Sequence, residues 1–267
     1  MINCLKILLL LLITISFFMG CATSRTYTFD RIYWYPTFNN NSAKESWSIK
    51  IQNEIVRAGD GAVRFELRPF DGYNDGNINS SRAELSESSY RAAMNRDIWY
   101  GFSIYIPDEY PAMEGKSMVI GQWHQNDRWG YPPLSQNYDV TNEELLIYLI
   151  PARFWTSSDG TKHYSKKRGL WKIKDFKQNV WHDLIYNIKW TGDDNGYFKV
   201  WHNGVQKIDF KGLTYIPGDT IGPFLKFGLY QMSAAASKSQ THVIYFDEYR
   251  RGRSYEAVDP AQNEKKN

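Results

Sequence analysis

Apolar and polar positions alternate at period two along most of the chain, the spacing of strands with one face inward and one face outward. Ala62 to Leu67, Tyr100 to Ile106, Leu184 to Trp190, Tyr197 to Trp201, Leu225 to Tyr230 and Val243 to Tyr249 follow this rule and are rich in Val, Ile, Tyr, Phe and Trp. Turn-forming pairs separate such segments: Asp71-Gly72, Asp75-Gly76, Asn195-Gly196, Asn203-Gly204 and Pro217-Gly218. Asn203-Gly204 lies between two alternating runs. It predicts a two-residue hairpin, because both turn positions need positive φ. Helical periodicity is scarce. Glu87 to Asn95 predicts a short helix, and Glu143 to Ile150 suits either helix or strand. With no repeat and no long internal linker, the pattern predicts an all-β chain forming one sandwich-like domain over residues 47–253.

The ends read differently. Lys6 precedes an apolar run from Ile7 to Phe18, followed by Met19-Gly20-Cys21. A charged start, a run of this length and a small residue before the cut describe an export signal over residues 1–20. The run is short for a membrane span. Cys after Gly resembles a bacterial lipobox, with Phe18 departing from the usual aliphatic residue, and predicts lipidation of Cys21 and an exported protein anchored in the cell envelope; an ordinary signal peptide cut nearby is the alternative. Residues 21–46 then read as a tether with a first strand. Residues 254–267 are polar and read as a loose tail.

Composition narrows the function. The 267 residues are 42% hydrophobic, enough for a full core and too many for a disordered chain. Only two Cys are present, and Cys4 leaves with the signal, so neither a disulfide scaffold nor a Cys-based zinc module is expected. The net charge of +3 falls to +2 once Lys6 is removed, and gives no support for nucleic-acid binding. Aromatic residues make up 16%, which suits both a β-rich core and contact with sugar faces. Phe65, Phe102, Trp123, Phe227 and Phe246 are expected in the inner layer. Charge is uneven: Lys162 to Lys177 holds seven basic residues against one acid, Asp175. That cluster reads either as a solvated loop or as a basic wall for a polyanion.

Three segments hold candidate chemistry. In Ser81-Arg82-Ala83-Glu84-Leu85-Ser86, Arg82 and Glu84 share a face, as a surface ion pair would or as part of a site. In Gly121-Gln122-Trp123-His124, Gln122 and His124 share a face opposite Trp123. In Lys226-Phe227-Gly228-Leu229-Tyr230, Lys226 and Tyr230 share a face, while Gly228 marks a bulge or a close approach. His182, His202 and His242 read as structural or surface positions rather than catalytic ones.

Taken in order, Val63-Arg64-Phe65-Glu66-Leu67-Arg68, Arg82-Ala83-Glu84-Leu85, Trp99 to Pro107, Gln122-Trp123-His124, Trp201-His202-Asn203-Gly204 and Lys226-Phe227-Gly228-Leu229-Tyr230 resemble the polysaccharide lyases related to heparin lyase I and glucuronan lyase. The resemblance covers most of residues 50–250. It implies a concanavalin-like β-jelly roll with a concave groove, and cleavage of a uronic-acid-containing polysaccharide by β-elimination. It implies His124 and Tyr230 as the catalytic pair, Lys226 and Arg82 as groove cations and Glu84 as orienting Arg82; the chemistry of β-elimination adds Gln122, beside Arg82, to bind the substrate carboxylate. No cofactor is required by this chemistry; the family often holds a structural calcium, but its ligands have no match in this sequence. The partner is an anionic polysaccharide, and a heavily sulfated one is disfavoured because the extra basic protrusion of the heparin-cleaving branch is missing. Two other classes stay open: a non-catalytic carbohydrate-binding lipoprotein, and a glycoside hydrolase on a similar sandwich. Hydrolysis wants two carboxylates at fixed separation, and Glu84 and Glu87 have the wrong parity for one face.

Overall fold

The computed structural model describes residues 25–26, 39–40, 45–69, 71, 81–87, 90–111, 117–125, 131–151, 154–156, 159–164, 169–231 and 240–262. The signal, Cys21 and the basic residues 166–168 lie outside them.

Two antiparallel sheets form a β-sandwich. The first sheet runs in the order β15 (Val205–Lys211), β14 (Tyr197–His202), β13 (Trp181–Lys189), β6 (Asp97–Tyr105), β17 (His242–Gly252), β4 (Ala62–Leu67) and β3 (Ile49–Gln52). The short β1 (Arg25–Thr26) also pairs with β17. The second runs β12 (Gly169–Ile173), β9 (Glu144–Leu149), β8 (Leu134–Asp139), β7 (Met118–His124), β16 (Phe224–Gln231), β5 (Ser81–Ser86) and β2 (Asn39–Asn40). A hairpin of β10 (Phe154–Thr156) and β11 (Lys162–Tyr164) stands apart from both and carries His163.

Alternation drives the packing. Leu225, Phe227 and Leu229 of β16 point inward and are buried, whereas Lys226 and Tyr230 remain partly exposed on the other face. Phe65, Phe102, Trp123, Phe227 and Phe246 are each at most 1% exposed, as the pattern predicts. Rings bridge the sheets: Phe65 meets Phe227 edge-on at 5.8 Å, and Trp123 meets Tyr100 at 5.4 Å and Tyr186 at 4.8 Å. Such contacts contribute about 0.5–1.5 kcal/mol each beyond area burial. The Asn203-Gly204 turn has φ of 49° and 76°, the positive values its hairpin requires.

Two expectations need correction, and one open alternative is resolved. Glu87 to Asn95 forms no helix in its described part. Its backbone instead bonds across to the β16 region, Glu87 N–H donating to the Leu225 carbonyl and Ala92 N–H to the Pro223 carbonyl. The ambiguous stretch Glu143 to Ile150 is the strand β9 between β8 and β12, because its odd positions Leu145, Ile147 and Leu149 reach the core. The polar tail is docked in its described part. Helix α1 (Tyr255–Val258) begins with Ser254 accepting from the Ala257 N–H, a short 3-10 turn (Pro260–Gln262) follows, and Val258 is fully buried.

Candidate functional site

The six residues singled out from the sequence meet on the outer face of the second sheet. The strand order β7-β16-β5 brings together segments far apart in the chain. In register, Lys226 stands between Gln122 on β7 and Ser86 on β5, Gly228 is opposite Glu84, and Tyr230 is opposite Arg82. His124 faces Phe224 at the end of β16.

Glu84 is the centre of this cluster. It is 1% exposed, and its Oε1 accepts a 2.6 Å hydrogen bond from Gln122 Nε2. Arg82 Nη1 lies 3.8 Å from its Oε2. Burial pushes the Glu84 carboxyl above its ordinary pKa, while Lys226, Arg82 and the Gln122 bond pull it back down. The sequence alone allowed a weak surface ion pair here; the burial excludes that reading. A carboxylate this deep needs donors around it; Gln122 supplies one at Oε1, while Arg82 faces Oε2 at ion-pair distance without a hydrogen bond to it.

Glycine is required at 228 for two reasons. Its φ is 130°, a conformation closed to side chains, and a Cβ there would lie 2.2 Å from the Ala83 carbonyl oxygen and 2.8 Å from Phe65. The pairing of β16 with β7 shifts register between Phe227 and Tyr230, so both readings of this glycine hold: a bulge and a close approach.

His124 Nδ1 lies 2.8 Å from the Gln125 carbonyl. A carbonyl can only accept, so Nδ1 carries the proton and Nε2 keeps its lone pair. Burial pushes the His124 pKa down to about 4, the charge of Lys226 adds to this, the Gln125 bond opposes it, and Arg82 and Arg91 push further down. The imidazole is therefore neutral near pH 7 and suited to accept a proton. Tyr230 stands opposite Val119, five positions from His124 along β7, so backbone register alone does not set the two side by side. Arg82 links them: its guanidinium lies 4.4 Å over the Tyr230 ring, and its charge reaches His124.

Two neighbours escaped the sequence reading. Phe224 tilts against His124 at 5.8 Å, and the Arg91 guanidinium lies 4.0 Å over the Phe224 ring. Arg91 sits outside any strand, so alternation gave no signal for it. The basic cluster is only partly placed. Lys172, on the edge strand β12, donates a 2.7 Å bond to Glu144 in a half-exposed ion pair. Glu87 is fully buried, bonded at 2.6 Å by Arg251 of the first sheet, and takes no part in the cluster around Glu84. His182 and His202 bond to one another at 2.8 Å in the interior, and His242 is buried against Tyr110, in keeping with structural roles. Among the described residues no group of three or more His, Cys, Asp or Glu is arranged to hold a metal ion. Asp193-Asp194-Asn195 is a turn in which Asp193 N–H donates to Thr191 Oγ1.

The sequence matches the polysaccharide lyase family profile over residues 31–250, and the chain belongs to that family. No curated protein matches it in sequence. Among solved structures it is similar to the endo-β-1,4-glucuronan lyase of the fungus Trichoderma reesei, with 16% identity, a TM-score of 0.66, and 84% of this chain and 97% of that chain covered. It is also similar to the family-7 alginate lyase A1-II′, at 12% identity and a TM-score of 0.56 over 81% of this chain and 93% of that chain. The alginate lyase PA1167 of Pseudomonas aeruginosa shows 18% identity and a TM-score of 0.51 over 76% and 86% of the two chains. At these identities the likeness concerns the fold. The protein is a polysaccharide lyase enzyme on a β-sandwich.

Proposed function

We propose that the enzyme cleaves a uronic-acid-containing polysaccharide by β-elimination at the outer face of the second sheet. The observation that carries this reading is the cluster around Glu84, where Gln122, Arg82 and Lys226 surround a buried carboxylate beside a neutral His124. The C5 proton of a uronate is weakly acidic, because the neighbouring carboxylate is already anionic. Cations and amide donors held in place for that carboxylate stabilise the charge that builds there as the proton leaves. His124 Nε2 takes the C5 proton. The C4–O4 bond breaks, its electron pair leaves with O4, and the C5–H pair becomes the C4–C5 double bond. Tyr230 gives its phenolic proton to O4. Arg82, stacked on the Tyr230 ring, favours the phenolate left behind. The products are a new chain end and a 4,5-unsaturated sugar.

The low overall charge favours a moderately charged uronan, such as glucuronan, alginate or a bacterial exopolysaccharide, over a heavily sulfated one. The hydrolase alternative needs two carboxylates at the site, and Glu87 is buried and bonded by Arg251 instead of joining Glu84; a non-catalytic binder is separated from a lyase by the product assay below. We also propose, from the signal and Cys21, that the enzyme is exported and lipid-anchored in the bacterial envelope. Digestion of a uronan panel by purified residues 22–267 tests the activity through ultraviolet absorbance of unsaturated products. Absorbance that rises with wild type and stays flat with His124→Ala supports the reading. Saturated reducing ends, or no products from any uronan, overturn it.

A further inference from the structure

On the opposite side of the sandwich, the outer face of the first sheet holds a cavity of about 500 Å³, inside the range of ligand sites. Its floor is β13, where Trp181, Asp183 and Ile185 line the cavity at alternate positions of one strand face. The Asn203-Gly204 hairpin turn forms one wall. Tyr255 and Asp259, in the docked C-terminal segment, form another, and Arg57 closes a third side.

The polar groups are held before any ligand arrives. Arg57 grips Asp183 with two bonds, Nε to Oδ1 at 3.0 Å and Nη2 to Oδ2 at 2.8 Å. Ser103 Oγ donates to the same Asp183 Oδ1 at 2.6 Å, and the Arg57 backbone N–H is anchored on Asp247 at 2.8 Å. Asn203 Oδ1 accepts from the Asp183 N–H at 2.9 Å. The aromatic walls are braced as well: Trp181 packs on Tyr105 at 5.5 Å, and Tyr255 meets Trp99 and Trp201 edge-on. Trp181 and Tyr255 both remain partly exposed.

Rings beside fixed donors and acceptors match a pyranose, whose axial C–H face packs on aromatics and whose hydroxyls bond to planar polar side chains. Charge decides which pyranose. The lining holds one guanidinium, already paired, and two carboxylates, Asp183 and Asp259. This balance repels a uronate. We propose that the cavity is a second, non-catalytic carbohydrate site that takes an uncharged glycosyl unit. It would hold the enzyme on neutral glycan while the other face works on the acidic polymer. The inference is independent of the catalytic reading, since it uses a different sheet face and different residues.

Native affinity electrophoresis tests it, with hydroxyethylcellulose, xylan, galactomannan or starch in the gel, and a uronan as the anionic control. Wild type and His124→Ala are expected to be retarded equally by at least one neutral polymer. Trp181→Ala and Tyr255→Ala are each expected to weaken that retention at least tenfold, with circular dichroism and melting profiles showing folded protein. Arg57→Lys is the second variant of the polar wall and is expected to weaken retention several-fold, since it breaks the two-pronged grip on Asp183. Absence of retardation by every neutral polymer overturns the proposal. So does retention that survives both aromatic substitutions in folded protein, or retention lost in His124→Ala.

Discussion

Gln122 of β7 and Glu84 of β5 are joined by a 2.6 Å hydrogen bond that crosses over the intervening strand β16. The bond passes where Gly228, opposite Glu84, brings no side chain. Three strands are thus tied together at the site by one buried carboxylate. Glu84→Ala should leave Gln122 and Arg82 without their shared anchor and lower kcat/KM on the order of 10²-fold, the cost of misplacing groups that bind the transition state. Glu84→Gln keeps an acceptor for Gln122 and should recover part of the loss. Equal activity in Glu84→Ala and wild type would remove Glu84 from the site.

His124 is the proposed base. His124→Ala should reduce kcat about 10²–10⁴-fold, the usual contribution of general-base catalysis, with little change in melting temperature. Initial rates of ultraviolet absorbance on the best uronan measure the effect.

The pH profile follows from the sign of the His124 shift. The neutral ring is the active form, so kcat/KM should fall as pH drops through about 4, not through the ordinary histidine value of 6.5. Lys226 helps hold that value down, after burial itself. Removing its charge in Lys226→Met makes proton uptake easier and should move the acid limb to higher pH. Histidine NMR titration of both proteins reads the same shift without substrate.

Gly228→Ala should unfold the enzyme more readily. The φ of 130° alone costs about 1–3 kcal/mol for a residue with a side chain, and the Cβ contact 2.2 Å from the Ala83 carbonyl adds to it. The urea midpoint should fall accordingly; an unchanged midpoint would show that the strand relaxes freely there.

Arg91 lies over Phe224, and its charge acts on His124, where the proposed substrate would sit. Arg91→Ala should raise KM for a uronan about tenfold or more, the worth of one hydrogen bond to a charged group, and leave kcat near wild type. A fall in kcat with KM unchanged would place Arg91 in the chemical step instead.

Much of this enzyme is legible without coordinates. Period-two alternation locates β4 over Ala62–Leu67 to the residue, and it locates the central spans of β6, β13, β14, β16 and β17. It also places Arg82 with Glu84, Gln122 with His124, and Lys226 with Tyr230 on shared faces, because side chains of a strand alternate wherever the strand lies. Strand adjacency is another matter. That β16 sits between β5 and β7 depends on pairings between residues a hundred or more positions apart, and no local pattern encodes them. The burial of Glu84, the register shift at Gly228, the position of Arg91 and the docking of the polar tail through Val258 likewise follow from which surfaces meet. Local alternation located most of the long strands, their faces and the residue types available for chemistry, but not β8 or β12, and it left β9 open. Which faces came together was set by long-range packing of the two sheets, which no local pattern carries.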